Sequence, residues 1–262
     1  MQITGGKFKL SRTLVQVFIK YLTPGQTVVE PFCGGCNVTF RLGESKVAGP
    51  IYAYDFNPYI IAMWKAVQQG WLPPMEVSEH LYRAVKDNKD EFDPALVGFI
   101  GHATTFGGKW FGGYARRSKA NEGDVCNFAA IGRNAILKQR QGILLVNFEC
   151  RSYQNVRIEP GSFVYCDPPY AGTDMNAYGD KSKWNADAFW AWAEKVSEHS
   201  TVLVSEYNAP PNWERIFAKE IKMTAFHEEA QTRVDSLWKL RTPDPRTAKT
   251  VRYQTHAWSS ML

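Results

Sequence analysis

Four short apolar runs constrain this chain more than any other feature. They are Thr27-Val28-Val29-Glu30, Ile51-Tyr52-Ala53-Tyr54-Asp55, Ser162-Phe163-Val164-Tyr165-Cys166 and Thr201-Val202-Leu203-Val204-Ser205. Short apolar runs without polar alternation read as strands buried on both faces. Helical patterns lie beside them. Tyr59-Ile60-Ile61-Ala62-Met63-Trp64 follows an Asn57-Pro58 start signal, and a Trp-rich stretch runs from Ala186 to His199. Strands alternating with helices predict an α/β protein with a mainly parallel sheet covered on both faces. In such sheets ligands bind beyond the C-terminal ends of the strands. Each run here finishes in chemically notable residues.

Composition sets the outer bounds. The chain has 262 residues, 44% of them apolar and 22% charged, enough for one large core or a core with a small insertion. No stretch approaches the ~18–20 apolar residues of a membrane span. The start, Met1-Gln2-Ile3-Thr4-Gly5-Gly6-Lys7, lacks an apolar signal stretch, so secretion by that route is not expected. Five cysteines, an odd number in a chain of this size, point to reduced thiols inside a cell. Cys33 and Cys36 form a Cys-x-x-Cys pair, but Cys126, Cys150 and Cys166 are scattered singly, so free thiols are expected rather than a zinc site. No metal is expected.

From about Pro73 to Gly142 the strand–helix rhythm fades. Thr104-Thr105-Phe106-Gly107-Gly108-Lys109-Trp110-Phe111-Gly112-Gly113-Tyr114 is rich in Gly and aromatics. Lys109, Arg116, Arg117, Lys119, Arg133, Lys138 and Arg140 then stand against only Glu122 and Asp124. This local excess is comparable to the net charge of the whole chain, +5. A solvated basic surface is one reading. The other is nucleic-acid contact, because Arg and Lys interleaved with Trp110, Phe111 and Tyr114 suit phosphates and bases.

Two segments carry chemistry. Glu30-Pro31-Phe32-Cys33-Gly34-Gly35-Cys36-Asn37 follows the first strand, and Asp55 ends the second. A Gly-containing turn lets a cofactor approach the backbone, and an acid about 20 residues on suits ribose hydroxyls. The third glycine of a dinucleotide fingerprint is missing and Cys36 sits at the spacing-two position, so a nucleoside cofactor without a pyrophosphate fits better. Asp167-Pro168-Pro169-Tyr170 follows the third strand. Two prolines stop strand pairing and hold a rigid, extended turn, so Asp167 and Tyr170 are projected at the strand end.

These parts, in this order, resemble the DNA adenine methylase type of N6-adenine-specific DNA methyltransferases. Gly5-Gly6-Lys7 is similar to the family's N-terminal cofactor motif, Val29–Gly35 to its glycine motif, Asp55 to its ribose-binding acid, and Asp167-Pro168-Pro169-Tyr170 to its catalytic motif. Phe148-Glu149-Cys150-Arg151-Ser152-Tyr153 resembles the segment before the catalytic strand, and Thr232-Arg233-Val234-Asp235-Ser236-Leu237-Trp238 a C-terminal element. Cys36 and Ile3 depart from the pattern, where relatives carry a glycine and often an aromatic.

The resemblance implies a Rossmann-like class I methyltransferase sheet with helices on both faces. It implies a catalytic domain of 1–75 plus 145–262 and a target-recognition insertion at 76–144. It implies S-adenosyl-L-methionine as cofactor, held by Lys7, Pro31, Phe32, Gly34, Asp55 and Asp167, with Asp167, Pro168, Pro169 and Tyr170 catalytic. Double-stranded DNA is the implied partner, contacted by Lys109, Arg116, Arg117, Lys119, Arg133 and Lys138, with the adenine flipped out of the duplex. Residues 171–180 are expected to form a lid ordering over DNA. The implied setting is a monomer in the cytoplasm of a bacterial or phage-infected cell, restriction-linked or solitary. Two substrate alternatives share this chemistry, adenine in RNA and the N4 amine of cytosine, although Asp rather than Ser in the catalytic motif favours adenine. A non-catalytic DNA-binding protein on the same scaffold would show a decayed motif, and both motifs are intact here.

Overall fold

The structure, a computed structural model, describes residue 3 and residues 6–116, 126–170, 184–223 and 231–242. Its centre is a seven-stranded sheet in the order β3-β2-β1-β4-β5-β7-β6. The strands are β1 (Val28–Glu30), β2 (Ile51–Asp55), β3 (Val146–Cys150), β4 (Phe163–Cys166), β5 (Thr201–Glu206), β6 (Trp213–Met223) and β7 (Gln231–Leu240). The four apolar runs are thus β1, β2, β4 and β5. All pairings from β3 across to β5 are parallel, whereas β7 runs antiparallel between β5 and β6. This is the expected Rossmann-like α/β sheet, closed on one side by an antiparallel pair that the apolar runs do not signal.

Chain direction across the sheet reverses between β1 and β4: β1 leads outward to β2 and β3, and β4 leads the other way to β5. At such a switch point the connections leave in opposite directions and open a crevice beyond the strand ends. The helices that follow the strands are α2 (Thr39–Ser45), α3 (Pro58–Gln68) and α7 (Ala186–Ser197), with α1 (Ser11–Phe18) preceding β1. The start of α3 follows from its sequence. The Asn57 side chain accepts from the Tyr59 and Ile60 N–H groups, and Pro58 fills a first-turn position that lacks a partner for its N–H.

Strand period decides the layers. Phe163 and Tyr165 of β4 point into one core and Val164 and Cys166 into the other, as period-two geometry requires. The first core holds Phe18, Phe40, Met63 and Trp64; the second holds Phe189, Trp190, Val202 and Trp213.

Between α3 and β3 lie three further helices, α4 (Glu79–Asp87), α5 (Pro94–Ala103) and α6 (Phe128–Ile143). Val97, Phe99, Ile100, Ile136 and Ile143 join the same core as Ile60 and Met63, so α5 and α6 share a core with the sheet-covering helices. Gln68 Nε2 fastens the end of α6 by donating to the carbonyls of Ile143 and Val146, both at 2.7 Å. Gly43 of α2 and Gly142 of α6 let the two helix backbones touch. A Cβ on Gly43 would overlap the Gly142 carbonyl, and one on Gly142 would overlap the Phe40 carbonyl. Among the described residues no helix is long and apolar enough to cross a membrane.

In an unpacked helix, Gly43→Ala would gain up to ~1 kcal/mol of propensity. Here backbone stands against backbone and cannot rotate away, so Gly43→Ala lowers stability instead, by about 1–3 kcal/mol. A urea denaturation midpoint below that of the parent checks this.

Candidate active site

Three carboxylates sit at the C-terminal ends of three adjacent parallel strands: Glu30 on β1, Asp55 on β2 and, just past β4, Asp167. Burial raises all three, because a desolvated carboxylate is costly. Glu30 accepts from the Thr39 hydroxyl, and burial pushes its carboxyl up to about 8 against that bond. Asp55 is pushed up to about 6 by burial, which outweighs the backbone N–H groups of Asn57, Gly34 and Phe56. Asp167 is also pushed up to about 6, by burial first, while Lys7 pulls it down and Asp235 pushes it up.

The turn after β1 is held from three sides. Asp55 Oδ2 accepts from the Gly34 N–H and its Oδ1 from the Asn57 N–H, both at 2.9 Å. From beneath, Trp64 Nε1 donates to the Gly34 carbonyl at 2.8 Å, and Gln139 Nε2 to the Gly35 carbonyl at 2.9 Å. Gly34 has φ +42°, and a Cβ there would meet nothing within 4 Å. The turn is therefore rigid below and open above. Cys36 takes φ +50°, the left-handed region where a side chain is strained and which a glycine would adopt freely. Its thiol and that of Cys33 are buried, and burial raises both. Among the described residues no His, Cys, Asp and Glu group could hold a metal. Pro31 is buried, and Phe32 packs against Tyr153, Phe189 and Trp184 at 5.4, 5.7 and 5.9 Å between ring centroids.

The Asp-Pro-Pro-Tyr turn meets the N-terminal segment. Lys7 is 6% exposed, and its Nζ lies 2.9 Å from Asp167 Oδ1 and 3.3 Å from Asp235 Oδ2. The ammonium also sits 4.5 Å from the centre of the Tyr170 ring. Tyr170 donates its hydroxyl to Asp235 Oδ1 at 2.9 Å, and Tyr207 meets the ring edge-on at 4.5 Å. Two contacts place Lys7. Its carbonyl accepts from Leu10 and Ser11 at the start of α1, and Gly6 packs so closely on the glycine turn that a Cβ would lie 2.7 Å from Asn37 Nδ2. Pro168 and Pro169 are buried beneath this cluster. Asp235 was not among the sequence-derived site residues. Its one sequence signal is an acid inside the segment 232–238, which alternates as a strand and does not by itself point to a site.

Lys109 and Lys138 are exposed, as the sequence suggests for phosphate-binding groups. Arg116 forms a two-pronged pair with Glu79 at 3.1 and 3.0 Å, and Arg133 donates to the Pro73 carbonyl. Arg117, Lys119 and the candidate lid at 171–180 lie outside the described residues. The aromatics differ from expectation: Phe111 is buried, and Trp110 and Tyr114 are half-buried. Gly101 allows this, because a side chain there would overlap Trp110 and Phe111. The exposed ring is instead Phe106, 62% accessible, followed by Gly107 and Gly108 at φ +66° and +71°.

Residues 4–119 and 111–221 match the D12 class N6 adenine-specific DNA methyltransferase family. The chain belongs to that family. It is an adenine-specific DNA methyltransferase, and the match spans Lys7, the glycine turn, Asp55 and the Asp-Pro-Pro-Tyr motif but ends before Asp235. Among similar solved structures is the magnesium protoporphyrin IX methyltransferase of Synechocystis PCC 6803 with bound SAM, 9% identical, with 89% of this chain and 79% of that one covered at a TM-score of 0.36. Another is a putative RNA methyltransferase of Pyrococcus horikoshii, 10% identical, with 90% and 83% covered at 0.39. A third is the tRNA (m1A58) methyltransferase of Aquifex aeolicus, 11% identical, with 89% and 70% covered at 0.35.

The buried acid of β1 makes the methyltransferase pH-sensitive in stability. Unfolded, Glu30 ionises near its ordinary 4.5; folded, it keeps its proton to about 8. Between those values the native state binds more protons, so stability falls as pH rises through the window. Glu30→Gln keeps an acceptor for Thr39 and removes that proton. Melting temperatures of the variant fall less steeply than the parent's across this range.

Proposed function

We propose that the crevice beyond β1, β2 and β4 binds S-adenosyl-L-methionine beside a flipped-out adenine, with Asp167 receiving the adenine amino group. The observation that carries this reading is the Asp167 carboxylate, anchored on a proline-locked strand end and held by Lys7 next to the open turn at Gly34.

The residues fit the cofactor. Asp55 is buried and accepts from the backbone N–H groups of Gly34, Asn57 and Phe56, and a carboxylate has about four lone-pair sites, which leaves an acceptor for a ribose hydroxyl. The space above Gly34 admits a ligand to the backbone. Phe32 and Pro31 wall the site, and Lys7 is the cation for a carboxylate. When bound, S-adenosyl-L-methionine supplies an electrophilic sulfonium methyl group.

The chain's own task is to make a poor nucleophile competent. The adenine amine is weakly nucleophilic because its lone pair is delocalised into the ring. Asp167 accepts one amino hydrogen and the Pro168 carbonyl the other, which favours a pyramidal nitrogen with a localised pair. Preorganised acceptors act without reorganising at the moment of transfer. Tyr170 stacks on the base with its ring steadied through its hydroxyl. A base inside a duplex cannot reach such a pocket, so flipping is required. Residues 76–144 serve as the recognition segment, with Phe106 as the exposed aromatic that meets the bases and Lys109 and Lys138 on the phosphates.

Mass spectrometry of digested duplex treated with the protein is expected to show N6-methyladenine; N4-methylcytosine, or a product on RNA alone, would overturn the substrate assignment. Asp167→Ala retains cofactor binding and loses methyl transfer by about 10²–10⁴-fold. Asp55→Asn weakens cofactor binding about 10–100-fold, the equivalent of losing charge-assisted bonds of ~1.5–3 kcal/mol, as calorimetry can measure. Lys109→Ala and Lys138→Ala each reduce the salt dependence of DNA binding by about one ion. Arg133→Ala acts differently, lowering stability with little change in that slope, because its guanidinium is committed to the Pro73 carbonyl.

A further inference from the structure

Asp235 is the fourth carboxylate of the crevice and the one that no parallel strand end delivers. It lies within β7 and is 6% exposed. Both of its oxygens are engaged, Oδ1 by the Tyr170 hydroxyl at 2.9 Å and Oδ2 by the Lys7 ammonium at 3.3 Å. The same ammonium rests 2.9 Å from Asp167 Oδ1. That contact weakens the acceptor, because an ammonium on Oδ1 draws charge from the carboxylate whose remaining lone pairs meet the incoming amino group. A buried ammonium that loses its only counter-ion is strongly destabilised. Asp235 removes the difficulty: a second carboxylate already touches Lys7, so the ammonium can yield Asp167 without going unpaired.

We infer that Asp235 is a positioning residue for methyl transfer, taking over the Lys7 ammonium as the adenine amino group occupies Asp167 and holding the Tyr170 ring through its hydroxyl. This rests on the reading that Asp167 receives the amine. Asp167 exchanges Lys7 for the amino group while both bonds to Asp235 persist, and none is covalent, so Asp235 acts only through Lys7 and Tyr170.

The role has a pH signature. Asp167 is faced by Lys7 from the N-terminal segment, Asp235 from β7, Tyr170 of its own turn, Tyr165 and the neutral Cys166 thiol of β4, and Glu30 of β1. The tyrosines are neutral near pH 7, and Glu30 keeps its proton to about 8. In the working range the charged neighbours in that set are therefore Lys7 and Asp235. Removing the Asp235 charge takes away a like charge and one of the two carboxylates that share Lys7, so Asp167 ionises at lower pH. Rate and pH limb then move in different ways. The plateau falls because Lys7, less shared with Asp235, draws more charge from the acceptor, while the acid limb shifts to lower pH.

The test uses the full chain, S-adenosyl-L-methionine and an adenine-containing duplex, with kcat and kcat/KM measured from about pH 5 to 8. Asp235→Asn is expected to lower kcat on the order of 10²-fold, leave duplex affinity unchanged and move the acid limb of kcat/KM downward. Asp235→Glu, which restores the charge, returns the limb to its parental position and part of the rate. A slower variant with an unmoved limb, or a variant with the parental profile, overturns the inference. If Asp235→Asn does not fold, Asp235→Ser removes the charge with less bulk and is judged by the same two criteria. Asp167→Asn separates the two claims. Full activity in that variant sinks the role of Asp167 and the inference with it, whereas an inactive Asp167→Asn beside a parental Asp235→Asn removes only the role of Asp235.

Discussion

A single buried ammonium joins three parts of this chain that lie far apart in sequence. Lys7 comes from the segment ahead of α1, Asp167 from the end of β4 and Asp235 from the antiparallel strand β7. Buried ions persist only when paired and hydrogen-bonded, so the position of each group is enforced by the others. One positive charge between two carboxylates also leaves the cluster with negative charge in excess. Burial, and that excess with it, holds Asp167 up at about 6.

The glycine turn depends on a different set of contacts. Trp64 and Gln139 use their side-chain N–H groups on carbonyls of the glycine turn, and Asp55 uses its carboxylate on the turn's N–H. Helices α3 and α6 therefore brace the turn although neither belongs to it. Gln139 lies in the middle segment, so that segment also supports the glycine turn. The contacts at Gly43, Gly98 and Gly142 make the same point in packing terms: each would be filled by a methyl group.

Much of the fold was legible in the sequence because parallel strands buried on both faces have few ways to be written. The four apolar runs became β1, β2, β4 and β5 within a residue or so of their expected limits, and Asn57-Pro58 marked the start of α3. The antiparallel pair was not, since β6 carries exposed positions and looks like many surface segments. The basic, aromatic stretch was only half legible. Composition counted Trp110, Phe111 and Tyr114 as one surface, but Gly101 opens a slot on α5 that draws rings inward and leaves Phe106 outside. Likewise Arg116 and Arg133 counted as basic residues, whereas geometry commits them to Glu79 and the Pro73 carbonyl.

What the sequence by itself determined is the local chemistry: an acid and a tyrosine locked at a strand end by two prolines, a glycine turn, and a ribose-type acid one strand away. These follow from near neighbours along the chain, where backbone restriction and side-chain type suffice. Only the tertiary structure decided the partners. Lys7 and Asp235 are 228 positions apart (235 minus 7), with no local pattern to connect them. They meet because β7 inserts antiparallel beside β5 while Gly6 packs on the glycine turn, and a buried charge accepts no looser arrangement.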